Sequence, residues 1–146
     1  MNAWNESEFV CFMFKNPVFD TWNGYVSIPK FHPWFNEHYD DLVGVDVHGG
    51  WTFSDFIEGW NEWVIGFDTN HAGDLYGPNA PMNNTGLPEG YFNILSGSYK
   101  DESFVRNEIS SIVEQATEAC DSETIEYLYE TIGQRLTKAL LVINLW

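Results

Sequence analysis

The sequence predicts an α+β fold, a small mainly antiparallel sheet packed by two C-terminal helices. Two observations carry that prediction. Up to about Tyr99 the chain alternates short apolar runs with Gly, Pro and Asn, and Lys15 and Lys30 are its only basic residues there. Beyond it Gly and Pro nearly vanish and apolar residues recur at helical spacing. No Ser/Gly linker, low-complexity tract or internal repeat separates the halves. The expectation is a single domain over 1–146, with sheet and loops in 1–99 and a helical layer in 100–146.

Residues 9–14, Phe-Val-Cys-Phe-Met-Phe, form a continuous apolar run and predict a buried strand ended by Asn16-Pro17. Residues 22–29 predict a turn and a second strand, pairing with the first as a hairpin across 18–21. His32-Pro33-Trp34-Phe35 reads as an aromatic turn with a structural His32. Residues 42–48 alternate and predict a third strand, which Trp51-Thr52-Phe53 extends beyond a Gly-Gly turn. Residues 63–68 predict a fourth strand, apolar on both faces and therefore central. Residues 70–90, rich in Gly, Pro and Asn, predict a long loop of the kind that carries function.

Asp101 is the predicted N-cap of a first helix whose apolar stripe is Phe104, Val105, Ile109, Ile112, Val113, Ala116 and Cys120. A second helix is predicted to open at Ser122 as N-cap, with Glu123 in its first turn. Its expected stripe is Ile125, Leu128, Tyr129, Ile132, Leu136 and Leu140, with Arg135 and Lys138 placed to suit the C-terminal dipole. The apolar tail, residues 140–146, must cover the core or a second copy, so homo-oligomerisation through the C-terminus is an expectation.

Composition narrows the function classes. A chain that is 44% hydrophobic and 17% aromatic is not disordered. Its apolar stretches fall short of the roughly 18–20 residues that span a bilayer, and the N-terminus lacks the pattern of a secretory signal. Cys11 and Cys120 lie far apart, without metal-ligand spacing, which fits a reduced, intracellular protein. Six Lys and Arg against twenty-two Asp and Glu give a net charge of −16. Such a chain repels phosphate backbones and anionic membranes, so direct nucleic-acid or membrane binding is not expected. The charge serves either solubility or imitation of DNA phosphates in a partner's basic groove.

Two phrases concentrate polar side chains beside glycine: Asp46-Val47-His48-Gly49-Gly50 and Asp68-Thr69-Asn70-His71-Ala72-Gly73-Asp74. On a strand Asp46 and His48 would share a face. If the two strand ends are neighbours, Asp46, His48, Asp68, His71 and Asp74 converge, a donor set for a divalent cation or an oriented general base. Asp and His before glycine equally serve turn geometry. No nucleophile elbow frames Thr52 or Ser54, no phosphate-binding glycine loop exists, and Cys11 sits in an apolar strand. His38, among Glu37, Asp40 and Asp41, reads as exposed. The aromatic and acidic segment 55–63 reads as a protein-binding surface as well as core.

The order of Tyr25-Val26-Ser27-Ile28-Pro29, His32-Pro33-Trp34, His48-Gly49-Gly50-Trp51-Thr52, Gly66-Phe67-Asp68 and His71-Ala72-Gly73-Asp74 resembles a group of short, functionally unassigned tailed-phage proteins. The resemblance covers residues 22–115 and stops before the second helix. In the group a Cys stands at the position of Thr69 and a Leu at that of Trp51, so a role for that Cys is lost here. The resemblance implies phage origin and action in the cytoplasm of the infected bacterial host. The resulting expectation is a non-enzymatic acidic inhibitor, without cofactor, that binds a basic-surfaced host defence factor such as a CRISPR or other nuclease. Asp40, Asp41, Asp55, Glu58, Trp60 and Glu62 are its expected contact residues. The alternative is a protein with a small-molecule, nucleotide or divalent-metal site on the His/Asp cluster, sequestering or hydrolysing its ligand.

Overall fold

A computed structural model describes residues 2–71, 73–80 and 97–144. Strands β1 (Asn2–Glu6), β2 (Phe9–Asn16), β3 (Thr21–Ile28), β4 (Phe53–Phe56) and β5 (Trp63–Phe67) are followed by helices α1 (Glu102–Ala119) and α2 (Ser122–Ile143). The sheet order is β1-β2-β3-β5-β4 and every pairing is antiparallel. The α+β expectation holds.

Alternation along each strand sorts side chains to two buried faces. Phe9, Cys11 and Met13 of β2 join Val26, Ile28, Ile65 and Phe67 under Val105, Ile109, Ile112 and Ala116 of α1. Val10, Phe12, Tyr25 and Val64 point the other way, to Ile57, Trp60 and Ala139 and Ile143 of α2. One helix therefore lies on each face, which is why β2 is apolar at consecutive positions. β5 runs between β3 and β4 and is buried at every residue.

Strand β1 has no counterpart in the sequence reading. It is a short, polar edge strand joined to β2 by Ser7 and Glu8, both at positive φ (44° and 67°). That is the backbone of a type I′ hairpin, and its usual Asn-Gly signal is missing from Ser-Glu.

The strand expected over 42–48 does not form; the segment is turn and irregular chain. Gly44 takes φ +87° and breaks the extended run. Leu42 and Val47 bury in the core shared with α1, while Val43 is 89% exposed. Side chains of α1 replace a ladder partner. Gln115 Oε1 accepts the Asp46 amide at 2.8 Å, and Gln115 Nε2 donates to the Asp46 carbonyl at 2.8 Å. The alternation thus reports burial against a helix rather than a place in the sheet.

Asp101 caps α1 as expected, its carboxylate accepting the Phe104 amide at 2.9 Å. The cap of α2 is Asp121 and not Ser122: its carboxylate accepts the Thr124 amide at 2.8 Å. The buried face of α2 is also rotated from the expected stripe, to Thr124, Leu128, Arg135, Ala139 and Ile143. Ile125, Tyr129, Leu140 and Leu141 are exposed. Arg135 on that face turns inward to Glu62 rather than outward to solvent.

His32 is buried and structural: Nδ1 accepts the Trp34 amide at 3.0 Å, and Nε2 lies 2.8 Å from the Ala116 carbonyl. His38 is exposed and its Nδ1 accepts the Asp40 amide at 3.3 Å. Both cysteines are free; Cys11 is fully buried, and burial pushes its thiol well up. Among the described residues, no helix is long and apolar enough to cross a membrane. The expected loop over 70–90 is described only at 70, 71 and 73–80, and the last two tail residues lie outside the described residues.

Candidate functional site

The chain leaves β5 at Phe67 and is pinned at once to the start of β3. Thr69 Oγ1 donates to the Trp22 carbonyl at 2.9 Å, and Thr21 Oγ1 donates to Asn70 Oδ1 at 3.0 Å. Asp68 Oδ1 accepts the Asn70 amide at 3.1 Å, an Asx turn. The Asp74 amide then donates to the His71 carbonyl at 2.9 Å and closes a turn. Ser98 pairs alongside: its amide donates to the Gly73 carbonyl and its carbonyl accepts the Leu75 amide.

His48 arrives from the other side. Its amide donates to Glu108 Oε1 of α1 at 2.7 Å, and its ring stands edge-on to Phe104, 5.0 Å between centroids. Gly49 follows at φ +66°, and a Cβ there would run into the His71 ring. Glycine at 49 is therefore required twice, by backbone conformation and by the approach of an imidazole.

These elements bring His48, His71 and Asp74 together, their ligand atoms all within 4.8 Å of one another. His48 Nε2 lies 2.9 Å and His71 Nδ1 3.1 Å from the same oxygen, Asp74 Oδ2. The His71 amide also donates to that oxygen, at 3.0 Å. On the far side of its ring, His71 Nε2 lies 3.3 Å from Asp68 Oδ1. Lys100 Nζ stands 3.6 Å from the other Asp74 oxygen and donates to Ser98 Oγ at 2.6 Å. Burial pushes the Asp74 carboxyl up, but the His48 ring, the His71 amide and the His71 ring outweigh it and hold the carboxyl below its usual range.

Of the five predicted ligand residues, three converge and Asp68 touches the edge through His71. Asp46 does not join them. Without a strand at 42–48 it no longer shares a face with His48; it is exposed and held by Gln115 through its backbone. Lys100, Phe104 and Glu108 at this corner escaped the sequence reading, because helical periodicity says nothing about which loop a helix receives.

The predicted contact residues divide as well. Asp40 and Asp41 are exposed on a single 3₁₀ turn (Tyr39–Asp41). Asp55 and Glu58 are exposed at the β4 edge, on a groove of about 680 Å³ that includes Phe53, Phe56, Gly59 and Val142. Phe56 there is 43% exposed. Trp60 and Glu62 are corrections: at 3% and 5% exposure they belong to the interior. Glu62 makes a two-pronged pair with Arg135, 2.7 Å to Oε1 and 3.0 Å to Oε2, and accepts Trp60 Nε1 at 3.2 Å. Arg135 also donates to the Glu8 carbonyl at 2.7 Å. Arg135 lies 73 positions from Glu62, beyond the reach of local pattern. A second hollow of about 370 Å³ lies between Phe31, Tyr127 and the carboxylates of Glu123, Glu126 and Glu130.

The fold and its sites define a sheet with a helix on each face, an acidic edge at β4 and a His/Asp corner between β5 and α1. Comparison with family models, with curated proteins and with solved structures finds no match for this chain.

Proposed function

We propose that this chain is a phage-encoded, non-enzymatic acidic inhibitor that binds a basic-surfaced host defence factor, a CRISPR or other nuclease, in place of DNA. It acts in the cytoplasm of the infected bacterium. The observation that carries the reading is the β4 edge, where Asp55 and Glu58 flank a groove with a half-exposed Phe56. Among the described residues β4 pairs with β5 alone. Carboxylates there offer the charge of phosphates, and Phe56 offers the aromatic anchor that interfaces favour. The −16 net charge steers the encounter with a basic groove. The phage origin rests on the motif order described above.

The test is DNA cleavage by purified CRISPR nucleases with and without the chain, at about 50 and about 500 mM salt. Inhibition at low salt that fades at high salt is the expected result. Reversing both charges, Asp55→Lys with Glu58→Lys, should weaken inhibition roughly tenfold, mainly through slower association. Inhibition that is equal at both salt concentrations would sink the mimicry.

A further inference from the structure

We infer that His48, His71 and Asp74 hold one divalent transition-metal ion, with Asp68 orienting His71 from behind. The site is independent of the acidic edge at β4. His48 and the His71–Asp74 turn come from separate segments, yet the ligand atoms of the three residues all lie within 4.8 Å of one another. The two ring nitrogens of His71 each face a carboxylate oxygen, Asp74 Oδ2 at 3.1 Å and Asp68 Oδ1 at 3.3 Å. A cation between Nδ1 and Asp74 Oδ2 takes the Nδ1 lone pair and leaves Nε2–H for Asp68, whose Oδ1 is within reach. That is the carboxylate–histidine–metal arrangement found around protein metal sites.

The spacing agrees. Ligands about 2.1 Å from an ion, at right angles to each other, lie about 3.0 Å apart. His48 Nε2 and His71 Nδ1 stand 2.9 and 3.1 Å from Asp74 Oδ2. Lys100 neighbours the other Asp74 oxygen, which also lies 3.1 Å from His48 Nε2. Two imidazoles and one carboxylate suit Mn²⁺, Fe²⁺ or Zn²⁺, whereas Mg²⁺ and Ca²⁺ favour all-oxygen sets. The His48 and His71 side chains keep 21% and 25% exposure, so an ion reaches them from solvent. The competing account is a hydrogen-bonded cluster with no metal at all.

Chelator-stripped protein titrated with Zn²⁺ alone, and separately with Mn²⁺ alone, decides between them. Calorimetry should give one equivalent per chain for at least one of the two ions, and the melting temperature should climb with its concentration. Imidazole nitrogen resonances of His48 and His71 should shift with Zn²⁺ or broaden with Mn²⁺, whichever ion binds, more than those of His32 and His38. His48→Ala or His71→Ala should abolish binding, and Asp68→Asn should weaken it about 10–100-fold. Circular dichroism shows whether each variant is folded, and the wild-type resonances stand whatever the variants do. Overturning results are no saturable binding of either ion, unmoved His48 and His71 resonances, or equal affinity in folded His48→Ala. The last would place the ions on the acidic surface. Nuclease inhibition by His48→Ala should match the wild type, so failure here and failure of the inhibitor reading are separable.

Discussion

Glu62 and Asp74 are equally buried carboxylates, at 5% exposure each, and their surroundings differ in one respect. Glu62 meets a guanidinium whose two N–H groups match its two oxygens, and Trp60 adds a third donor. Both oxygens there accept from N–H donors. Asp74 meets two imidazoles on one oxygen, one of which is squeezed against a second carboxylate. The first cluster is complete and shut away from water, with Arg135 and Glu62 side chains at 8% and 7% exposure. The second is half open, with the His48 and His71 side chains at 21% and 25% exposure. A shut polar cluster holds a fold together; one that solvent reaches is open to a ligand.

Breaking the complete cluster should have the largest effect. Glu62→Ala leaves a buried guanidinium without its partner and should cost about 3–5 kcal/mol of stability in denaturant titration. Metal binding at the corner should survive wherever the variant remains folded. A loss below about 1 kcal/mol would show that the pair is solvated after all.

A smaller effect is expected from the corner's backbone. Gly49→Ala places a methyl in the left-handed region and against the His71 ring. The backbone term alone costs about 1–2 kcal/mol, and displacement of His71 should lower metal affinity alongside. Unchanged affinity would mean that the His71 ring does not depend on Gly49 for its place.

The smallest effect concerns His32, an imidazole that is complete in its neutral form. Burial lowers its pKa, only partly offset by the Ala116 carbonyl. A proton on Nδ1 would oppose the Trp34 amide. The unfolded chain therefore binds the proton first. The His32 contribution is fully present above the unfolded value near about 6.5 and declines as pH falls through the depressed folded value. The slope is at most about 1.4 kcal/mol per pH unit. The difference in stability between wild type and His32→Gln should shrink on acidification from about pH 7 to about pH 5. A constant difference would show that His32 does not titrate with folding.

The comparison also explains what could be read from the chain. β2, β3, β5 and α1 were legible because their apolar residues repeat at the periods of strand and helix, and Asp101 sits where a cap belongs. The Leu42–His48 alternation misled because burial of Leu42 and Val47 in the core under α1 imitates burial in a sheet. Arg135 misled because a basic residue near a helix C-terminus has an exposed role available, and nothing nearby shows that Glu62 waits inside. His48, His71 and Asp74 were legible as residue types beside glycine, while Asp46 fell out once the strand was gone.

By itself the sequence determined the fold class, the two helices, the acid excess and the places where glycine brings His and Asp to a turn. Those properties follow from local steric preference and periodicity, which act over a few residues. Tertiary structure alone decided the hairpin that adds β1, the rotation of α2, the pairing of Glu62 with Arg135 and the meeting of His48 with His71 and Asp74. Each depends on residues distant in sequence satisfying one another's charge and hydrogen bonds, and only the closed fold brings them within range.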